Sequence, residues 1–219
     1  EDYLRIIRLI RFKLMYKNPL EASTAKVIKL NLDGIQKISK ERILIELLKI
    51  LDLKNFSLIN EDANLKEIFT LIFPEFMYLE RLDKLKKVSG YSEVSKDLIL
   101  AVLLINEKNN HEYFSHKYNV SNTTKDYLNL LSNNLKQLKE KDYFDKEIEK
   151  NIYINGKNHL ISLNILNFIL NTKSKLSNFL KNLKNIKNSK THIFPIDGKY
   201  LIDSGMKEGF ALGKTLKSI

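Results

Sequence analysis

Apolar residues near the start of the chain fall at Leu4, Ile7, Ile10 and Leu14, steps of three and four that mark one face of an α-helix over residues 1–17. Pro19 stands just past that helix, where a proline is tolerated. A second short helix is expected from Leu20 to Asn31, followed by a turn at Asp33-Gly34. Ser39 can cap a third helix, with Glu41 in the first turn favoured by the helix dipole and Ile43, Leu47, Ile50 and Leu51 as its core face. The pattern continues helical near 61–72, 74–88, 95–106, 109–118, 121–140 and 158–171, and Lys173 to Lys190 alternates apolar residues with Lys and Asn as one more amphipathic helix. Phe144 to Asn158 is ambiguous. Ile152-Tyr153-Ile154 before Asn155-Gly156 has hairpin character, yet too few residues support a sheet. The class expected is all-α, without a repeat of fixed period.

Composition narrows the function more than the fold. At 43% hydrophobic, the 219 residues can bury a substantial core. Seven glycines and three prolines argue against a many-turned β architecture. The absence of cysteine removes disulfides, thiol catalysis and thiolate metal sites. The longest apolar run, Leu98 to Ile105, is far short of the roughly 20 residues of a membrane span and reads as a buried helix. No secretory signal is visible, and the chain opens at Glu1, without Met, inside a helical pattern, which reads as a cut. The net charge of +11 is uneven: Lys173 to the end carries ten Lys against Asp197, Asp203 and Glu208. A polyanion partner is therefore expected at the C-terminal portion, where each Lys can neutralise a phosphate.

The first helix carries the sharpest chemistry. Asp2 and Arg5 are three apart and emerge one turn apart on neighbouring positions. A carboxylate beside a guanidinium presents an acceptor next to donors. The Watson–Crick edges of cytosine and adenine each offer an amino donor beside a ring-nitrogen acceptor and match that pair; guanine and uracil present the opposite order. An ordinary i,i+3 salt bridge is the plainer reading of the spacing. Arg8 and Arg11 continue at steps of three and can reach toward phosphates, although the four residues cannot share one narrow stripe.

Elsewhere the chemistry is thin. His111 and His116 are five apart, a poor spacing for a shared face, and read as surface or helix-end residues, while His159 and His192 stand alone. Gly205, Gly209 and Gly213 are too closely flanked by Lys207, Glu208 and Lys214 for a membrane face. They either let backbone amides approach an RNA phosphate or simply terminate helices.

Three stretches resemble, in order, the bacterial tRNA nucleotidyltransferase/poly(A) polymerase family, the class II CCA-adding enzymes. Glu1-Asp2-x-x-Arg5-x-x-Arg8-x-x-Arg11-Phe12 is similar to EDxxRxxRxxRF; Ile38-Ser39-Lys40-Glu41-Arg42-Ile43-x-x-Glu46-Leu47-Leu48 to ISxERIxxELxKIL; and the segment from Ile196 to Lys214 to the tail element TGKDLxxxGxKPGPxxGKxL. The family's Lys-Pro-Gly turn is Lys207-Glu208-Gly209 here. The resemblance implies an elongated all-α array: neck-like helices over 1–52, a helical body over 53–140 and a basic tail over 141–219. It implies that Asp2 and Arg5 read the base of incoming CTP or ATP with Glu1 holding Arg5, that Arg8 and Arg11 bind nucleotide, and that Glu41, Arg42 and Glu46 lie in the bracing helix. Lys199, Gly205, Lys207, Gly209, Gly213 and Lys214 would face tRNA or other RNA in a cytoplasmic protein.

The family's head, with its GSxxRD stretch and Mg²⁺-binding aspartates, has no counterpart in these residues. Nucleotidyl transfer is therefore expected only with a separate head polypeptide, and the chain alone is expected to be inactive. A free-standing RNA-binding module without catalysis and a helical interaction protein with an incidental basic surface are the competing expectations.

Overall fold

The computed structural model describes residues 3–138, 143–191 and 198–218 (backbone alone at 217 and 218). Of the described residues 69% are helical, and no strand occurs among them. Helix α1 (Leu4–Met15) buries Leu4, Ile7, Ile10 and Leu14, the four residues its periodicity selects. Helix α2 (Ala22–Lys29) turns Ala25 and Ile28 inward and packs on α4 (Ala63–Ile72). Asp62 starts α4 with both carboxylate oxygens: one accepts the Leu65 N–H at 2.9 Å, the other the Leu20 N–H at 2.7 Å. That single cap thus also fixes the entry to α2.

Instead of a plain turn at Asp33-Gly34, Leu32–Lys37 form a 3₁₀ helix. Its Gly34 lies so close to Tyr3 that an added Cβ would stand 2.2 Å from the ring. Only a residue without a side chain lets the start of α1 settle there. Helix α3 (Lys40–Leu51) begins at Ser39 as expected, the hydroxyl accepting the Arg42 N–H at 3.4 Å. It packs along α1 and reaches the buried helix that follows.

The helix expected over 74–88 is confined to α5 (Arg81–Lys86). Phe73 takes the non-helical φ −122° and ψ 71° that a following proline favours. The segment then folds inward so that Phe73 and Phe76 join Phe69 and Phe114 in one ring cluster, with centroids 5.1 to 6.0 Å apart. Burial of these rings outweighs the local helical pattern.

Helix α6 (Lys96–Leu104) is buried on all sides from Leu98 onward, as its apolar run requires. Helices α7 (Asn110–Lys117) and α8 (Asn122–Gln137) follow. The hairpin reading near Ile152 is corrected: Ile152, Tyr153 and Ile154 belong to α9 (Ile148–Asn155). Gly156, at φ +81°, breaks it from α10 (Lys157–Leu170), a turn that an L-residue rarely adopts. Helix α11 (Leu176–Asn188) packs on α10 through Phe179, Leu183 and Ile186. Helices α12 (Gly198–Asp203) and α13 (Phe210–Ser218) pack on each other.

Short α5 ties its neighbours by their ends. The Arg81 guanidinium lies over the Tyr78 ring at 3.9 Å and donates to the Val102 and Ile105 carbonyls at 2.8 and 2.9 Å, the C-terminal end of α6. One turn on, the Lys84 ammonium donates to the Ile169 carbonyl at 3.1 Å, near the end of α10. One hydrophobic core runs from Leu4 to Ile186 through these helices.

His111 stands at the N-terminal end of α7, a helix-end position as expected, but not at the surface. It is buried with Phe114 and Ser115 on the inward stripe of α7, since positions 111, 114 and 115 share a helix face. Burial holds its pKa below the ordinary value. His159 is likewise buried, with its Nε2 3.0 Å from the Asn134 amide nitrogen, and burial lowers its pKa too. His116 is exposed, and His192 lies outside the described residues.

Candidate nucleotide and RNA interface

The three arginines of α1 separate by direction. At about 100° per residue, Arg8 and Arg11 turn toward α3 while Arg5 points away from the core. Glu46 meets the first two from α3. Its carboxylate oxygens lie 3.5 Å from Arg8 Nε and 3.2 Å from Arg11 Nε, and 3.0 Å from the Lys49 ammonium. The Glu46 side chain is 4% exposed, whereas those of Arg8 and Arg11 are 41% and 22% exposed. A buried acid thus orients two arginines by their Nε edges. Burial works to raise the Glu46 carboxyl, but the Lys49 hydrogen bond and the charges of Lys49, Arg11 and Arg8 outweigh it and hold it below the ordinary carboxylate range.

Glu41 and Arg42 lie with Glu46 in α3, the helix that packs along α1, as expected. Glu41 is exposed and accepts a hydrogen bond from the Asn119 amide at 2.9 Å, which, with backbone bonding, lowers its carboxyl. It joins α3 to the end of α7. Arg42 contributes its N–H to the Ser39 cap and carries its side chain outward. Arg5 is exposed on α1. Glu1 and Asp2 lie outside the described residues, so the Asp2–Arg5 pair stays a sequence expectation.

Two residues on α1 and its cap carried no weight in the base-reading argument. Phe12 and Tyr16 are 41% and 65% exposed, and their rings lie 6.3 Å apart at an interplanar angle of 19°. The Arg11 guanidinium sits 4.8 Å from the Phe12 centroid. Their spacing of four was the signal available, since i and i+4 share a helix face.

In the tail, Lys199, Lys207 and Lys214 are exposed, as are Gly205, Gly209 and Gly213. Gly205, at φ +98°, ends α12: its N–H bonds the Ile202 carbonyl at 2.9 Å, and the Met206 N–H bonds that of Leu201 at 2.9 Å. This is glycine termination of a helix, and Gly209, at φ +142°, precedes α13. A cleft of about 690 Å³ opens between Tyr78, Arg81, Asn106, Lys136 and Asn171, and none of the residues singled out from sequence lines it. Among the described residues no group of three or more His, Cys, Asp or Glu could hold a metal ion. No helix among them is long and apolar enough to cross a membrane.

Residues 19–79, from the approach to α2 through α4 to just short of α5, match the family described as the probable RNA and SrmB-binding site of polymerase A. The CCA-adding enzyme of Staphylococcus haemolyticus (strain JCSC1435) is 28% identical over 198 residues, covering 88% of this chain and 47% of that enzyme. The chain therefore spans about half the length of the curated relative it matches. The matched segment and this relative are what the chain is similar to, and both agree with the resemblance carried by its sequence motifs.

Proposed function

We propose that this chain is the RNA-binding and nucleotide-selecting part of a tRNA nucleotidyltransferase or poly(A) polymerase, which transfers CMP or AMP from CTP or ATP to RNA 3′ ends. The observation that carries this reading is the α1–α3 pairing, in which buried Glu46 aligns Arg8 and Arg11 on the helix that also presents Arg5. Fixed guanidinium groups suit triphosphate oxygens because their donors need no reorganisation when the ligand arrives. Asp2 and Arg5 then select C and A by matching an amino donor and a ring-nitrogen acceptor. The tail helices, with Lys199, Lys207 and Lys214, hold the RNA by its phosphates. The neck, body and tail divisions at 1–52, 53–140 and 141–219 are part of the same proposal.

The transfer step, with its Mg²⁺, is assigned to a catalytic head outside these residues. When bound there, the metal supplies charge neutralisation of the reacting phosphates. This chain's own residues bind and orient.

Nucleotide addition tests the reading. With a head supplied, Asp2→Ala or Arg5→Ala should narrow the preference for CTP and ATP over GTP and UTP, and unchanged selectivity would refute the base-reading role. The match of 19–79 to an RNA-binding segment favours, as a second reading, an RNA-binding module without catalysis. Such a module would bind tRNA tightly at low salt yet stay silent in that assay whatever head is supplied. Absence of tRNA binding at low salt would defeat both.

A further inference from the structure

We infer that the outward face of α1 and its cap is a stacking surface for the bases of single-stranded RNA, running from Arg5 past Phe12 to Tyr16. The inference rests on the RNA-binding reading above and adds a site to it. Positions 5, 12 and 16 follow the i, i+7, i+11 line of a helix, opposite the buried stripe of Leu4, Ile7, Ile10 and Leu14. Phe12 and Tyr16 therefore take no part in the core, and both rings stand in solvent, 41% and 65% exposed.

Their arrangement suits planar ligands. The two rings are nearly parallel at 6.3 Å, and the Arg11 guanidinium lies 4.8 Å from the Phe12 centroid, so three flat groups succeed one another along the helix. Bases stack on such surfaces whatever their identity, because each has a π-face. Charge points the same way: α1 reads LRIIRLIRFKLM, with three arginines, one lysine and no acid. A polyanion with flat side groups satisfies both features, because the one Glu46 carboxylate balances only part of the charge of three arginines and Lys49. The reach is also apt. Arg5 and Phe12 are separated by roughly 10 Å along the axis. That is about three stacked bases at ~3.4 Å each, so a strand lying on the rings would end near the arginine proposed to read the incoming nucleotide.

The chain has no tryptophan, so Phe12→Trp places a single reporter on the surface. Titration of this full-chain variant with six-nucleotide oligo(A) and oligo(C) RNA should quench its emission saturably. Phe12→Ala and Tyr16→Ala should each weaken binding of the same oligonucleotides at least about fivefold. Binding of a blunt RNA duplex should change less than twofold. Phe12→Leu should be as weak as Phe12→Ala, because it keeps apolar area and loses the ring.

Full binding by Phe12→Leu would overturn the stacking inference and point to an apolar protein partner. Unchanged affinity in both alanine variants, with wild-type circular dichroism, would overturn it while leaving RNA binding intact. Failure of the unmodified chain to bind any of these RNAs at low salt would overturn it together with the reading beneath it.

Discussion

Replacing Glu46 by alanine tests how α1 is held. The carboxylate is 4% exposed and lies within 3.5 Å of three cationic nitrogens. Those partners are unequal. Arg11 is 22% exposed, while Arg8 and Lys49 are 41% and 51% exposed and are screened by water. Removing one partner of a buried ion pair costs about 3–5 kcal/mol, whereas exposed pairs contribute ~0–1 kcal/mol each. Since Arg11 keeps some access to solvent, the loss for Glu46→Ala should fall at about 2–4 kcal/mol. Glu46→Gln retains the packing and one acceptor oxygen, so it should lose about half as much.

Urea unfolding followed by circular dichroism at 222 nm measures both. Combining Glu46→Ala with Arg11→Ala should return a coupling energy of about 1 kcal/mol or more. The charge also sets a pH dependence. Because the folded-state pKa lies below the ordinary value of 4.5, this stabilisation is fully present above that pH and is lost as pH falls through the lowered value. The gap between wild type and Glu46→Gln should accordingly close in acid. A Glu46→Ala stability within about 0.5 kcal/mol of wild type, or a coupling energy of zero, would refute the account of α1 as held by a buried acid.

Gly34→Ala drives a methyl into the Tyr3 ring, 2.2 Å away at its nearest atom, and should cost about 1–3 kcal/mol in the same urea assay. Tyr3→Ala added to Gly34→Ala should recover part of that loss, and no recovery would show that the ring is not the obstacle. Burial keeps the pKa of His159 below 6.5, so the unfolded chain takes up a proton more readily than the folded one. Its contribution makes stability fall as pH drops below 6.5 toward the lowered folded-state value, and His159→Gln should flatten the melting temperature measured between pH 7.5 and 5.5.

Helices α1 and α3 were the most legible part of the chain. In α1 and α3 a strict apolar stripe, a capping Ser39 and a proline past the end all point to the same structure, and the buried residues are those the period selects. Where the pattern misled, a longer-range force prevailed. The helical period over 74–88 gave way to the cluster of Phe69, Phe73, Phe76 and Phe114, whose partners are distant in sequence and so invisible to periodicity. Ile152-Tyr153-Ile154 looked β-like because branched and aromatic residues favour strands, yet no neighbouring strand exists for them among the described residues.

The site was legible in its residue types and less so in their directions. Spacing marked Arg8 and Arg11 but gave no sign that a single acid on α3 meets both. Glu41, Arg42 and Glu46 belong to one motif, and only the packed pair of α1 and α3 shows that Glu46 is the acid that meets Arg8 and Arg11. Phe12 and Tyr16 were readable as an i,i+4 pair, although whether such a pair faces core or solvent depends on which side of α1 the neighbouring helices cover.

Arg81 and Lys84 give α5, α6 and α10 a shared opening event. They sit one turn apart on a six-residue helix, and each takes carbonyls from the end of a different, mostly apolar helix. If either end fraying alone left, it would strand those carbonyls and a cation in a half-buried place, so the last turns of α6 and α10 should exchange their amide hydrogens together with α5. A six-residue helix thereby sets the size of a cooperative unit that reaches two helices far apart in the sequence.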